Sequence, residues 1–102
     1  MQALEGIKIL DFCHNAPGMF CTMVLADLGA DVLMIERPMD EARSAYEKIA
    51  AGIDGPEDER RHAAFNALQR NKRSIALNLK EPEAQKIFHK LAETADVVGE
   101  GF

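Results

Sequence analysis

The sequence predicts an α/β fold, a parallel sheet with flanking helices. Three observations predict it. Residues 7–12 and 31–36 are short and almost continuously apolar, as strands covered on both faces are. A helical stretch separates them, so strand, helix and strand fit within about 30 residues, the length of one βαβ unit with a right-handed crossover. Near the end of the chain, a helix with 3.6-residue spacing runs into another apolar segment.

In order, residues 7–12 read as a buried strand after Gly6. His14 to Gly18 read as a turn, in which Asn15 can cap and Pro17 suits a first helical position. Residues 20–28 read as a helix that is apolar around most of its circumference, which predicts burial on several sides. Gly29 is a natural stop because it tolerates the left-handed conformation. Residues 31–36 read as a second strand. Residues 38–62 are polar and hold Pro38, Gly52, Gly55 and Pro56, and read as a surface excursion with a helix over 41–51. Residues 63–68 suit a short helical turn. Residues 74–79 alternate like a strand. Glu81, Pro82 and Glu83 open a helix with acidic residues at its positive end. Its apolar positions are Ala84, Ile87, Phe88, Leu91 and Ala95. A last strand begins at Asp96.

Composition narrows the class. The 102 residues suit one domain, and 47% apolar with 28% charged is ordinary for a globular chain. A net charge of -5 argues against non-specific nucleic-acid binding, which depends on neutralising phosphates. Eight of the twelve basic residues lie between Arg60 and Lys90, which an anionic ligand or a solvated loop would both explain. Cys13 and Cys21 are too few and too far apart for a zinc knuckle, and their apolar neighbours predict buried, reduced thiols in a cytoplasmic protein. No secretory leader, no run long enough to span a bilayer and no cluster of metal ligands is visible, so neither a membrane nor a metal is expected.

An open α/β sheet binds ligands beyond the carboxyl ends of its strands, and three segments converge there. Asn15-Ala16-Pro17-Gly18 leads into a helix whose free amides favour an anion, and Gly18 leaves room for close approach. A plain strand-to-helix turn fits the same residues. Glu36-Arg37 ends the second strand, where an acid meets a ribose and an Arg a ribose phosphate; a surface ion pair is the alternative. Arg70-Asn71-Lys72-Arg73, followed by Leu77-Asn78-Leu79-Lys80, offers a cationic patch or a solvated loop. His14 has no evident base or nucleophile partner in the sequence and reads as a hydrogen-bonded turn histidine, while His62 and His89 sit in polar, exposed settings.

Together these segments resemble class III CoA-transferases, the CaiB/BaiF family. Residues 4–12 resemble the family's opening, and residues 16–32 its first helix and second strand. Ile35-Glu36-Arg37-Pro38, residues 71–80 and Ala95-Asp96-Val97-Val98 continue the pattern in order. Glu100-Gly101-Phe102 resembles the start of a signature that continues Arg-Pro-Gly. The likeness covers nearly the whole chain except residues 40–62.

The resemblance implies a Rossmann-like sheet and an enzyme that moves CoA between carboxylic acids, with the racemisation of 2-methylacyl-CoA esters as the alternative. A non-catalytic nucleotide- or CoA-binding module, or a remnant whose apolar surface meets missing segments, is a reading from another class. It implies that Ala16 and Pro17 touch CoA through their backbone and that Arg37 grips the phosphorylated ribose. It further implies that Leu77, Asn78, Leu79 and Lys80 line the adenine side, and that Gly101 and Phe102 flank the pantetheine. CoA or acyl-CoA is then the partner, and the full-length form a homodimer. Residues 1–102 would be the amino-terminal CoA-binding segment. Two departures stand out: residues 39–44 lack the family's Gly-Asp-x-x-Arg, and neither the transferase's nucleophilic aspartate nor the racemase's His/Asp pair falls within the chain.

Overall fold

The computed structural model describes residues 1–38, 54–56, 59, 63 and 67–101. Its elements are β1 (Lys8–Phe12), α1 (Ala16–Asp27), β2 (Asp31–Glu36), β3 (Arg73–Ala76), α2 (Pro82–Ala92) and β4 (Val97–Glu100). The expected helix over 41–51 falls outside this description, as does the excursion over 38–62 apart from residues 38, 54–56 and 59, and of the helical turn at 63–68 only residues 63, 67 and 68 are described.

The four strands form one sheet in the order β3-β2-β1-β4. All three pairings are parallel, with Leu10 opposite Leu33 and Val98, and Met34 opposite Ser74. This is the leading part of the Rossmann order. Steps from β1 to β2 and from β3 to β4 run in opposite directions across the sheet. Right-handed crossovers therefore put α1 and α2 on opposite faces. The packing agrees. Ile9 and Val32 pack with Ala26 and Leu25 of α1, while Leu10, Phe12 and Ile35 pack with Ala84, Phe88 and Leu91 of α2. Covered on both faces, β1 buries four successive residues, Ile9 to Phe12, which is why it reads as an apolar run.

Three elements depart from expectation. Helix α1 starts at Ala16, four residues before the apolar run, because Asn15 caps it through the Gly18 amide (3.2 Å) and Pro17 occupies its first turn. It buries only the stripe Met19, Thr22, Met23 and Ala26. Phe20, Val24 and Leu28 are exposed, since α1 meets the sheet on one side only. Strand β3 ends at Ala76 instead of Leu79: Leu77 donates the last bond to the Glu36 carbonyl at 3.0 Å, where β2 itself stops. In α2, Ala84 and Phe88 face the core while Ile87 is exposed.

Gly29 ends α1 as expected. It adopts φ +105°, and bonds from Gly29 N to Ala26 O (3.0 Å) and Ala30 N to Leu25 O (3.1 Å) complete a Schellman motif. Among the described residues, no helix is long and apolar enough to cross a membrane.

Candidate functional site

Parallel strands all finish at one rim. Here that rim carries Phe12, Glu36, Ala76 and Glu100. A crevice of about 150 Å³ opens beyond β2. Its floor is apolar, made by the buried Phe12, Ile35 and Leu77 with the half-buried Leu79. Its polar groups are His14, Glu36, Arg37, Asn78 and Lys80.

The local sequence explains this shape. Once β3 leaves the ladder, Asn78 turns the chain: its Oδ1 accepts the Lys80 amide (3.2 Å) and its carbonyl accepts the Glu81 amide (2.9 Å). Gln85 Nε2 then donates to the Leu79 carbonyl at 2.8 Å, fastening the turn to α2. Phe12 stands edge-on to Phe88 with centroids 5.0 Å apart, which seats the crevice floor on α2.

Arg37, Leu77, Asn78, Leu79 and Lys80 are thus gathered in one crevice. Ala16 and Pro17 form a second group, exposed at the start of α1 beyond β1. Gly101 follows β4 and is tied to this group, because Asn15 Nδ2 donates to its carbonyl. The second group sits where the strand order reverses between β1 and β4, the position at which open α/β sheets take ligands. Phe102 lies outside the described residues.

The cationic patch at residues 70–73 is corrected. Arg73 opens β3 and forks onto Asp31, which opens β2, at 3.0 and 2.8 Å; both lie on the amino edge, opposite the crevice. Arg70 pairs with Asp27 at 2.6 Å, and Asn71 Nδ2 joins at 2.7 Å. These donors hold the Asp27 carboxyl below the usual carboxylate range, the Arg70 hydrogen bond foremost. Lys72 points inward: its Nζ is 3.0 Å from Asp11 Oδ2, with the two side chains 1% and 0% exposed. Removing one partner of such a buried pair costs about 3–5 kcal/mol.

Cys21 is also corrected, being exposed; only Cys13 is buried. Burial, helped by a hydrogen bond to Asp11, pushes the Cys13 thiol up to about 12, so it is an inert core group. Gly18 leaves room for Cys13 and not for a ligand: a Cβ there would sit 2.7 Å from Cys13 Cβ and 2.8 Å from its sulfur.

His14 is the residue that sequence reasoning passed over. It lines the crevice beside Arg37. Burial, and then the Arg37 charge, lower its pKa from the ordinary value, so it presents a neutral imidazole at neutral pH. Its place two residues after β1 and just before the capping Asn15 was the available signal.

The fold defines a class: α/β proteins built on a parallel, Rossmann-like sheet with helices on both faces. The particular family follows from comparison. The model of CoA-transferase family III matches residues 4–102, and the chain belongs to that family. It is 41% identical over its whole length to a succinyl-CoA:mesaconate CoA-transferase of Haloarcula marismortui, covering 25% of that protein. Over 99% of its length it is 39% identical to a formyl-CoA:oxalate CoA-transferase of Rhodopseudomonas palustris, covering 22% of it. A crystal structure of a CaiB/BaiF family protein from Brucella suis superposes with a TM-score of 0.78 at 32% identity, over 99% of this chain and 26% of that one. The chain therefore spans about a quarter of the length of the relatives it matches.

Proposed function

We propose that this chain is the CoA-binding amino-terminal portion of an enzyme that transfers CoA between carboxylic acids. One observation carries the reading: the crevice that joins Arg37 to residues 77–80 lies on the same rim as the start of α1 and Gly101. Along that rim the order is β3, β2, β1, β4. An extended CoA fits that order. Its adenine lies against Leu77, Asn78, Leu79 and Lys80, over the apolar floor. Arg37 takes the ribose phosphate with its planar fork. The backbone at Ala16 and Pro17, at the positive end of α1, meets the next phosphates. Gly101 and Phe102 flank the pantetheine arm.

The two relatives named above act on different acids and share CoA, which supports CoA as the part recognised here. In this reading residues 1–102 bind and orient the thioester, and the nucleophilic carboxylate comes from sequence beyond the matched quarter. Its attack on the thioester carbonyl expels CoA and leaves a mixed anhydride. The transferase names of these relatives favour transfer over the racemase branch. The full-length protein is, on the same reading, a cytoplasmic homodimer that takes CoA or acyl-CoA and needs no metal, membrane or nucleic acid.

Titration calorimetry tests this with CoA and with dephospho-CoA. CoA should bind more tightly, and Arg37→Ala should weaken CoA by about 1.5–3 kcal/mol, the cost of a lost charged hydrogen bond, while barely affecting dephospho-CoA. Arg73→Ala, on the opposite edge, should leave both affinities unchanged. Equal binding of the two ligands would remove Arg37 from the phosphate site.

A further inference from the structure

The buried cluster around Lys72 is not used by the ligand reading, although it brackets the turn that reading depends on. The Lys72 ammonium makes three hydrogen bonds: to Asp11 Oδ2 (3.0 Å), Gln69 Oε1 (2.7 Å) and the Met19 carbonyl (3.2 Å). All three of its protons are therefore employed. Asp11 in turn accepts the Cys13 amide on Oδ1 (2.8 Å) and the Thr22 hydroxyl on Oδ2 (2.6 Å).

These contacts fall on the two sides of one short segment. Asp11 and Cys13 lie where the chain leaves β1, and Met19 and Thr22 lie inside α1. Between them are His14, Asn15, Ala16, Pro17 and Gly18. A single ammonium thus spans the gap between a strand carboxylate and a helix carbonyl, and so sets how far the start of α1 stands from the end of β1. No neutral side chain reaching from position 72 replaces three directed donors. For stability alone, an apolar residue of similar size can serve as well as a buried ion pair, so the charge has its specific use in geometry.

We propose that Lys72 is a positioning residue. Through Asp11 and the Met19 carbonyl, it holds the turn at residues 13–18 in the form that presents Ala16, Pro17 and His14 to the ligand. The proposal rests on the CoA reading for the identity of that ligand, but its local consequence does not.

The test uses Lys72→Met in the whole chain, with two readouts. In amide hydrogen exchange followed by NMR, the amides of β2 and β3 report the global loss of stability, and positions 13–19 should speed up about tenfold more than they do, a local opening added to the global one. In calorimetry, the CoA dissociation constant should rise about tenfold. Leu91→Ala, on the opposite face, serves as a destabilised control that should leave CoA affinity unchanged. If Lys72→Met does not fold, Thr22→Val removes one Asp11 partner and should give a smaller exchange increase over the same positions. An increase at positions 13–19 no larger than that of the strands would overturn the positioning role. Failure of the unaltered chain to bind CoA would sink the ligand reading instead, and the exchange result would still decide the role of Lys72.

Discussion

Asn15 joins two neighbouring strand ends of the rim, those of β1 and β4: its Nδ2 donates to the Gly101 carbonyl while its Oδ1 accepts the Gly18 amide at 3.2 Å. One side chain both caps α1 and fixes the residue that follows β4. Asn15→Ala should lower stability by about 1 kcal/mol through the lost cap. It should also speed exchange at residues 99–101. Urea denaturation and amide exchange would measure the two effects, and an unchanged midpoint would contradict the capping role.

Gly18 offers a prediction of sign. In an exposed helix interior, Gly→Ala stabilises by about 1 kcal/mol. Here the new Cβ would meet Cys13 Cβ at 2.7 Å, backed by a buried strand end. Gly18→Ala should therefore destabilise, by about 1–3 kcal/mol as overpacking does. A higher urea midpoint for this variant would refute the contact.

The two thiols should separate chemically. Cys21 is exposed and Cys13 buried, with the Cys13 thiol pushed up to about 12. Iodoacetamide at mildly alkaline pH should label the folded chain once, at Cys21, and twice only in denaturant. Mass spectrometry of the digested product reads the position directly.

His14 should give stability a pH dependence. Its folded pKa is depressed by burial and by Arg37, while in the unfolded chain it titrates near the ordinary value of about 6.5. As pH falls through that value the unfolded state takes up the proton first. Stability is thus full above this range and declines below it. His14→Gln should flatten the denaturation midpoint between pH 7 and pH 5.5. A phosphate-bearing ligand beside the imidazole should raise its pKa, so binding near pH 6 should be accompanied by proton uptake, measurable from the buffer dependence of the calorimetric heat.

Much of this architecture was legible because local chemistry and global pattern agreed. Ile9 to Phe12 and Val32 to Ile35 read as apolar runs because both sheet faces are covered, and Gly29 marked the end of α1. Arg37 and residues 77–80 could be grouped because parallel strands must all end on one rim. What failed was partner choice. Nothing near Arg70, Lys72 or Arg73 in sequence announces Asp27, Asp11 or Asp31, 43, 61 and 42 residues away, so a row of ion pairs looked like a phosphate patch. Leu77 and Leu79 keep the alternation of a strand beyond the last pairing because they now floor a crevice. The exposure of Cys21 depends on which side of α1 meets the sheet, which helix composition alone does not tell.

The placement of β4 also governs how the molecule is made. On a ribosome, β1 emerges early yet stays bare along one side until residues 97–100 arrive, about 90 residues later. Contacts of such long sequence separation slow folding. Of the three described seams, the one between β1 and β4 is the last to zip, and an unsealed β1 is the surface by which nascent chains would stick to one another.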